Sequence, residues 1–359
     1  MKRILCATHK GLVVLQKRDG KWCFKKDLFL GMPASLVYAD PRNGAWWISL
    51  AHKHWGHKMH VSMDEGQSWK SVDPPKYPVD TEMKPGVPAR LRYVWAFSHG
   101  GHARPERMYV GTEPGGLFVT DDYGGSFELV RSLWDHPSRE GFWFGGGRDY
   151  AGIHTILVHP ENDDHIVIGV SCGGVFRSLD GGATWDPIND GLRADYLPNP
   201  HLEAGHDPHM MHFCRSRPNV IWQQNHCGVY ISRDTGTHWK EVTAENGVGD
   251  YGFGLAVDPR DPDRAWIIPA QGDDMRIAYG KSLFVCRTDD GGRSWKELHN
   301  GLPQRNFYDI VLRHSLAFDG EDLVFGTTMG HIFTSGDLGE SWSRIEGSFP
   351  KVNAVVFAS

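Results

Sequence analysis

An octet of the form Ser/Thr-x-Asp-x-Gly-x-x-Trp returns six times along the chain and restricts its fold more than any other feature. It stands at Ser62 to Trp69, Thr120 to Phe127 (Phe in place of Trp), Ser178 to Trp185, Ser232 to Trp239, Thr288 to Trp295 and Ser335 to Trp342. Its aspartates, Asp64, Asp122, Asp180, Asp234, Asp290 and Asp337, lie 58, 58, 54, 56 and 47 residues apart. That period is the length of one four-stranded β-propeller blade. A tight turn between strands needs Gly for a positive φ and a short carboxylate to accept from its own amides, while the Trp anchors one blade on the next. Six such aspartates cannot all be active-site acids, so their role is structural.

Short alternating runs flank each octet, such as Gly228 to Ile231 before it and Trp239 to Val242 after it. An eroded seventh turn, Asp19-Gly20-Lys21-Trp22, follows strands Arg3 to Ala7 and Leu12 to Leu15, and the C-terminal Val352 to Phe357 can supply its missing innermost strand. The expectation is an all-β chain, a single seven-bladed β-propeller over residues 1–359, closed by N-terminal strands plus a C-terminal strand so that no sheet edge is left free. The 43 Gly and 21 Pro that punctuate the sequence agree.

The net charge of −6 has no acidic or basic block behind it, which argues against a nucleic-acid partner. No run approaches the ~18 apolar residues of a membrane helix, and Met1 to Leu15 lacks the apolar core of a secretory signal. The six cysteines show no paired short spacing, so neither a zinc knuckle nor a disulfide framework is expected. Together these readings place the protein in the cytoplasm.

At its octets the sequence resembles the Asp-box (bacterial neuraminidase repeat) propellers, which include sialidases, xyloglucan-cleaving glycosidases, sortilin-type receptors and photosystem II assembly factors. The segments Val175 to Trp185, Gly191 to Asp195 and Gln223 to Tyr230 look like a bacterial group of stand-alone seven-bladed proteins labelled sialidase-like or glycosyl-hydrolase-like. The resemblance implies the fold and a carbohydrate ligand. The early Arg-Ile-Pro motif of sialidases is missing, so classical sialidase chemistry is not expected.

In a propeller the octet turns share one face, and the long loops gather on the other. Asp73 to Arg92, Arg131 to Ile153, Ile188 to His209, Gln271 to Lys281 and Ala51 to Lys58 therefore mark the functional face. His154, His209 and Tyr308 stand at the start of innermost strands, and His226 follows Asn225 in a turn beside them. Glycoside cleavage needs paired carboxyl groups. Glu203 and Asp207 share one loop and are the leading pair, with Glu113, Asp149 and Asp250 as further candidates. Arg92 and Arg148 can clamp an anion, while Trp95, Trp55, Trp143 and Phe144 offer stacking surfaces. The expected catalytic set is Glu203, Asp207, His154, His209 and Tyr308, and the expected binding set is Arg92, Arg148, Trp95, Asn225 and His226. His154, His209 and His226 could also hold a divalent metal ion.

These residues suggest an enzyme of the glycoside hydrolase or lyase kind, acting on a small or anionic carbohydrate at the mouth of the central channel. The alternatives are a non-catalytic scaffold that binds a protein and a metal-dependent enzyme acting on a non-sugar substrate.

Overall fold

The computed structural model describes residues 2–52, 54–243 and 249–358. The expected loop from Ala51 to Lys58 thus includes one residue, Lys53, outside the described set. The chain is nearly all β and folds as a β-propeller. Its described residues form five four-stranded antiparallel sheets, one eight-stranded sheet and a small hairpin of Glu82–Lys84 with Val87–Pro88. In each four-stranded sheet the strands lie in chain order, as in Ala34–Ala39, Trp46–His52, Gly56–Ser62 and Lys70–Val72. The first strand of each set is innermost.

The eight-stranded sheet joins strands from the two ends of the chain. The C-terminal strand Val352–Ala358 runs antiparallel to Arg3–Thr8, and on its other side touches Val311–Phe318 through one parallel bridge, His314 to Ala354. The N-terminal strands Arg3–Thr8, Gly11–Arg18 and Lys21–Leu28 thus gain an innermost neighbour from the opposite end of the chain.

Each octet occupies the turn between the third and fourth strands of its set, and its bonds repeat from one set to the next. At the first, Ser62 Oγ donates to Asp64 Oδ1 at 2.8 Å and accepts from Gly66 N at 2.8 Å. Ser68 N and Oγ donate to Asp64 Oδ1 and Oδ2 at 2.9 and 2.6 Å. The same pattern at Asp180 and Asp337 explains why the carboxylate and hydroxyls recur at fixed offsets. These donors favour the ionised form and hold Asp64, Asp122 and Asp180 down at about 2.

Large aromatics fill the space between sheets. Trp46, Trp47, Trp222 and Trp266 are buried, as are the octet tryptophans Trp185, Trp239 and Trp342. A glycine supports the last of these: Gly301 has φ +83°, and a Cβ there would stand 2.0 Å from the Trp342 carbonyl oxygen. Gly301→Ala is therefore expected to destabilise the fold by more than about 1 kcal/mol, measured as a lowered urea midpoint. An unchanged midpoint would show that the turn can move.

The inner strands surround an axial channel of about 630 Å³ that His154, His212 and His314 help to line.

Candidate functional site

One irregularity recurs on the inner strands and builds the site. The pairing of Tyr93–His99 with its neighbour skips from Val94 to Ala96, that of Gly152–His159 from Ile153 to Thr155, and that of Pro208–Cys214 from Pro208 to Met210. The unpaired residues are Trp95, His154 and His209. Gly252–Val257 skips from Gly252 to Leu255, freeing Phe253, and Val311–Phe318 skips from Val311 to Leu316, freeing Arg313. A β-bulge bends its strand and re-aims the extra side chain. These bulges lie near the strand starts, beside the long loops.

Four of the freed residues, Trp95, His209, Phe253 and Arg313, line a cavity of about 260 Å³ with Phe144, Arg148, Cys172, Tyr196, Asp207, His226, Asp273 and Arg276. The Gly145-Gly146-Gly147 run brings Arg148 to its rim.

Asp207 is the hub. It is buried, and its Oδ1 accepts from Ser171 Oγ at 2.8 Å and from Cys172 N at 3.1 Å. Its Oδ2 lies 3.2 Å from His209 Nε2 and 3.6 Å from His226 Nδ1. The His226 amide donates to the Asp207 carbonyl at 3.0 Å, tying the two loops together. Arg313 Nη2 comes within 4.0 Å of Oδ1. Burial on its own would raise the Asp207 carboxyl, but His209, His226 and Arg313 overrule it and hold it well below the usual carboxylate range.

His209 Nδ1 sits 2.6 Å from the Gly252 carbonyl oxygen. A carbonyl only accepts, so Nδ1 donates there, and Nε2 is the ring atom turned to Asp207. A proton on Nε2, or a cation in its place, bridges the 3.2 Å to Asp207 Oδ2. Burial pushes the His209 imidazole down, against the pull of Asp207.

The guanidinium of Arg313 lies 5.1 Å from the Trp95 ring centre and 5.0 Å from that of Phe253, and its Nε has no hydrogen-bond partner. The cavity's other two arginines are engaged: Arg148 pairs with buried Glu113, and Arg276 Nη2 with Asp273 Oδ1 at 2.5 Å. Tyr196 and Tyr251 pack edge-on against His226, at 4.9 and 5.4 Å between ring centres.

The structure thus brings Trp95, Phe144, Arg148, Asp207, His209 and His226 together, and places the other expected residues elsewhere. Glu203 is exposed and outside the cavity, and its backbone carbonyl accepts from Asn189 Nδ2 at 2.8 Å. The pairing of Glu203 with Asp207 is therefore not formed. His154 is buried in the axial channel, with Nδ1 2.8 Å from Thr155 Oγ1, and does not join His209 and His226; Asp207 takes its place among the metal-ligating groups. Tyr308 is more than half exposed beneath Lys281, and Arg92 lies over the Tyr150 ring. Asn225 is buried, donating to Gln223 Oε1 at 2.6 Å and accepting from Cys227 N at 3.1 Å, so it shapes the turn that presents His226. Trp55, Asp149 and Asp250 are exposed outside the cavity, and Trp143 packs on Phe176.

Sequence reasoning passes over Arg313, Arg276, Phe253, Tyr196 and Cys172. Arg313 carries the one available signal, its place near the start of an innermost strand, as for Trp95 and His154.

No protein-family model matches the chain. Among curated proteins it is similar to a xyloglucanase of a Paenibacillus species, 24% identical over 257 residues that cover 65% of this chain and 23% of that protein. It is also similar to the xyloglucanase Xgh74A of Acetivibrio thermocellus, 24% identical over 217 residues covering 53% and 23%. The chain thus spans about a quarter of the length of these relatives. Among solved structures, the GH74 enzyme of Niastella koreensis superposes with a TM-score of 0.60 at 16% identity, covering 95% of this chain and 51% of that one. YCF48 bound to D1 peptide superposes at 0.54 with 15% identity, covering 88% and 82%. These superpositions show a shared fold, the β-propeller.

Proposed function

We propose that the cavity binds a small anionic carbohydrate and breaks its glycosidic bond by proton transfer at the Asp207, His209 and His226 cluster. The observation that carries the reading is a single ionised carboxylate set between two imidazoles, with the Arg313 guanidinium lining the same cavity. The aromatic walls Trp95, Phe144, Tyr196 and Phe253 suit a sugar ring, and similarity to proteins named xyloglucanases supports a carbohydrate.

Hydrolysis by two carboxyl groups requires one of them to stay protonated. Asp207 and Asp273 share the cavity, and both are held low; at Asp273 the bond to Arg276 is the chief cause. Neither is suited to be the acid. Elimination next to a sugar carboxylate asks instead for a base and a cation. Arg313 would hold the substrate carboxylate, and His226, supported by Asp207, would take the proton from the adjacent carbon. The C–H electron pair becomes the new C=C bond, the C–O bond to the leaving sugar breaks, and its oxygen takes up the proton that His226 received.

The finer architecture belongs to the same reading. The eight-stranded sheet counts as two blades, giving seven in one domain closed by the C-terminal strand, within the Asp-box group.

The test is a panel of uronic-acid oligosaccharides beside neutral xyloglucan fragments, followed by absorbance of the unsaturated product. Arg313→Met should weaken uronide binding about 10- to 100-fold, the worth of a charge-assisted bond. Turnover of neutral fragments alone, unaffected by the substitution, would rule the reading out.

A further inference from the structure

We infer that Asp207 Oδ2, His209 Nε2 and His226 Nδ1 form a binding site for a first-row divalent cation with tetrahedral preference, zinc being the best match, with its fourth position open to the cavity. The three ligand atoms lie within 4.8 Å of one another. An ion bound tetrahedrally at ~2.1 Å sets neighbouring ligand atoms ~3.4 Å apart. The carboxylate oxygen stands 3.2 Å from one imidazole nitrogen and 3.6 Å from the other, on either side of that spacing.

The surrounding bonds favour an ion over a fortuitous cluster. The contact of His209 Nδ1 with the Gly252 carbonyl fixes the tautomer that presents Nε2 as a ligand, the outer-shell arrangement usual for metal-bound histidine. Ser171 Oγ and Cys172 N occupy Asp207 Oδ1, leaving Oδ2 for the ion. A proton on Nε2 bridges it to Oδ2 across 3.2 Å, and a divalent cation that displaces this proton gains both atoms as ligands. Arg313 approaches the other oxygen, at 4.0 Å, so its charge moderates affinity while drawing an anionic ligand to the open position.

A metal in this position would supply a Lewis acid or an activated water in place of the His226 base. The site is independent of the carbohydrate reading, because its test needs no sugar.

Untagged protein, stripped with chelator and dialysed, is titrated with Co²⁺ under visible spectroscopy and with Zn²⁺ by calorimetry. We expect a saturable site for one ion per chain at this cluster and the intense visible bands of tetrahedral Co²⁺. Both should be lost in Asp207→Asn, and affinity should drop at least tenfold in His226→Ala, whose partly exposed side chain makes misfolding no explanation. The absence of saturable binding in the folded wild type would overturn the site, as would binding that persists undiminished in both variants, since it would then belong to other histidines. Failure here leaves the role of Arg313 in sugar binding standing.

Discussion

Asp207→Ala is expected to lower folding stability by about 3–5 kcal/mol, the range for removing one partner of a buried charged network. Four groups lose their acceptor or counter-charge at once: Ser171 Oγ, the Cys172 amide, His209 Nε2 and the Arg313 guanidinium. The discriminating comparison is Asp207→Asn. Its amide oxygen can still accept from Ser171 and Cys172, so it should recover part of that loss, while Arg313 still lacks its counter-charge. Chemistry that requires the charge would nonetheless be lost. Urea unfolding of the two variants reads the result directly. Equal midpoints for alanine and wild type would mean that the network contributes nothing to the fold.

The second large effect is on pH dependence. His154, His212 and His314 line the axial channel, where burial is the chief influence and keeps all three imidazoles below their ordinary value, His212 at about 4 and His314 at about 3. For His154 and His314 the Arg313 charge adds to the effect. In the unfolded chain the same groups titrate near ~6.5, so below that pH the unfolded state binds more protons than the folded one. Stability from these neutral histidines is therefore complete above ~6.5 and falls as pH drops toward their folded values. Each contributes about 1.4 kcal/mol per pH unit, so a loss of about 2–4 kcal/mol is expected between pH 7 and pH 5.5, allowing for water in the channel. His314→Gln should flatten the slope of stability against pH. A wild-type urea midpoint that stays constant across this window would show that the channel histidines titrate normally.

The octet made the repeated sheets legible because its chemistry is local: a hydroxyl, a carboxylate and a positive-φ Gly close one turn on themselves, whatever surrounds them. Long loops and the starts of innermost strands pointed to Trp95, Arg148, Asp207, His209 and His226, which the fold gathers in one cavity. Two features were out of reach. An inner strand's alternation predicts which way each residue points, but a break in the pairing overrides that rule without changing composition; Phe253 and Arg313 were hidden in this way, and the separation of His154 from His209 was equally invisible. Direction within a loop is set by distant partners. Asn189 anchors the loop at the Glu203 backbone carbonyl, and nothing in the segment Leu202 to His209 announces that contact.

The bulges have an evolutionary consequence. A residue that takes no part in the pairing of its strand is under less constraint from the sheet that carries it than its paired neighbours are. Trp95, His209, Phe253 and Arg313 come from four different sheets but touch one another across the cavity, so a change at one is felt at its neighbours there. The ring thus acts as a fixed frame for these fittings, and new specificities are open to such a chain through substitutions at these positions.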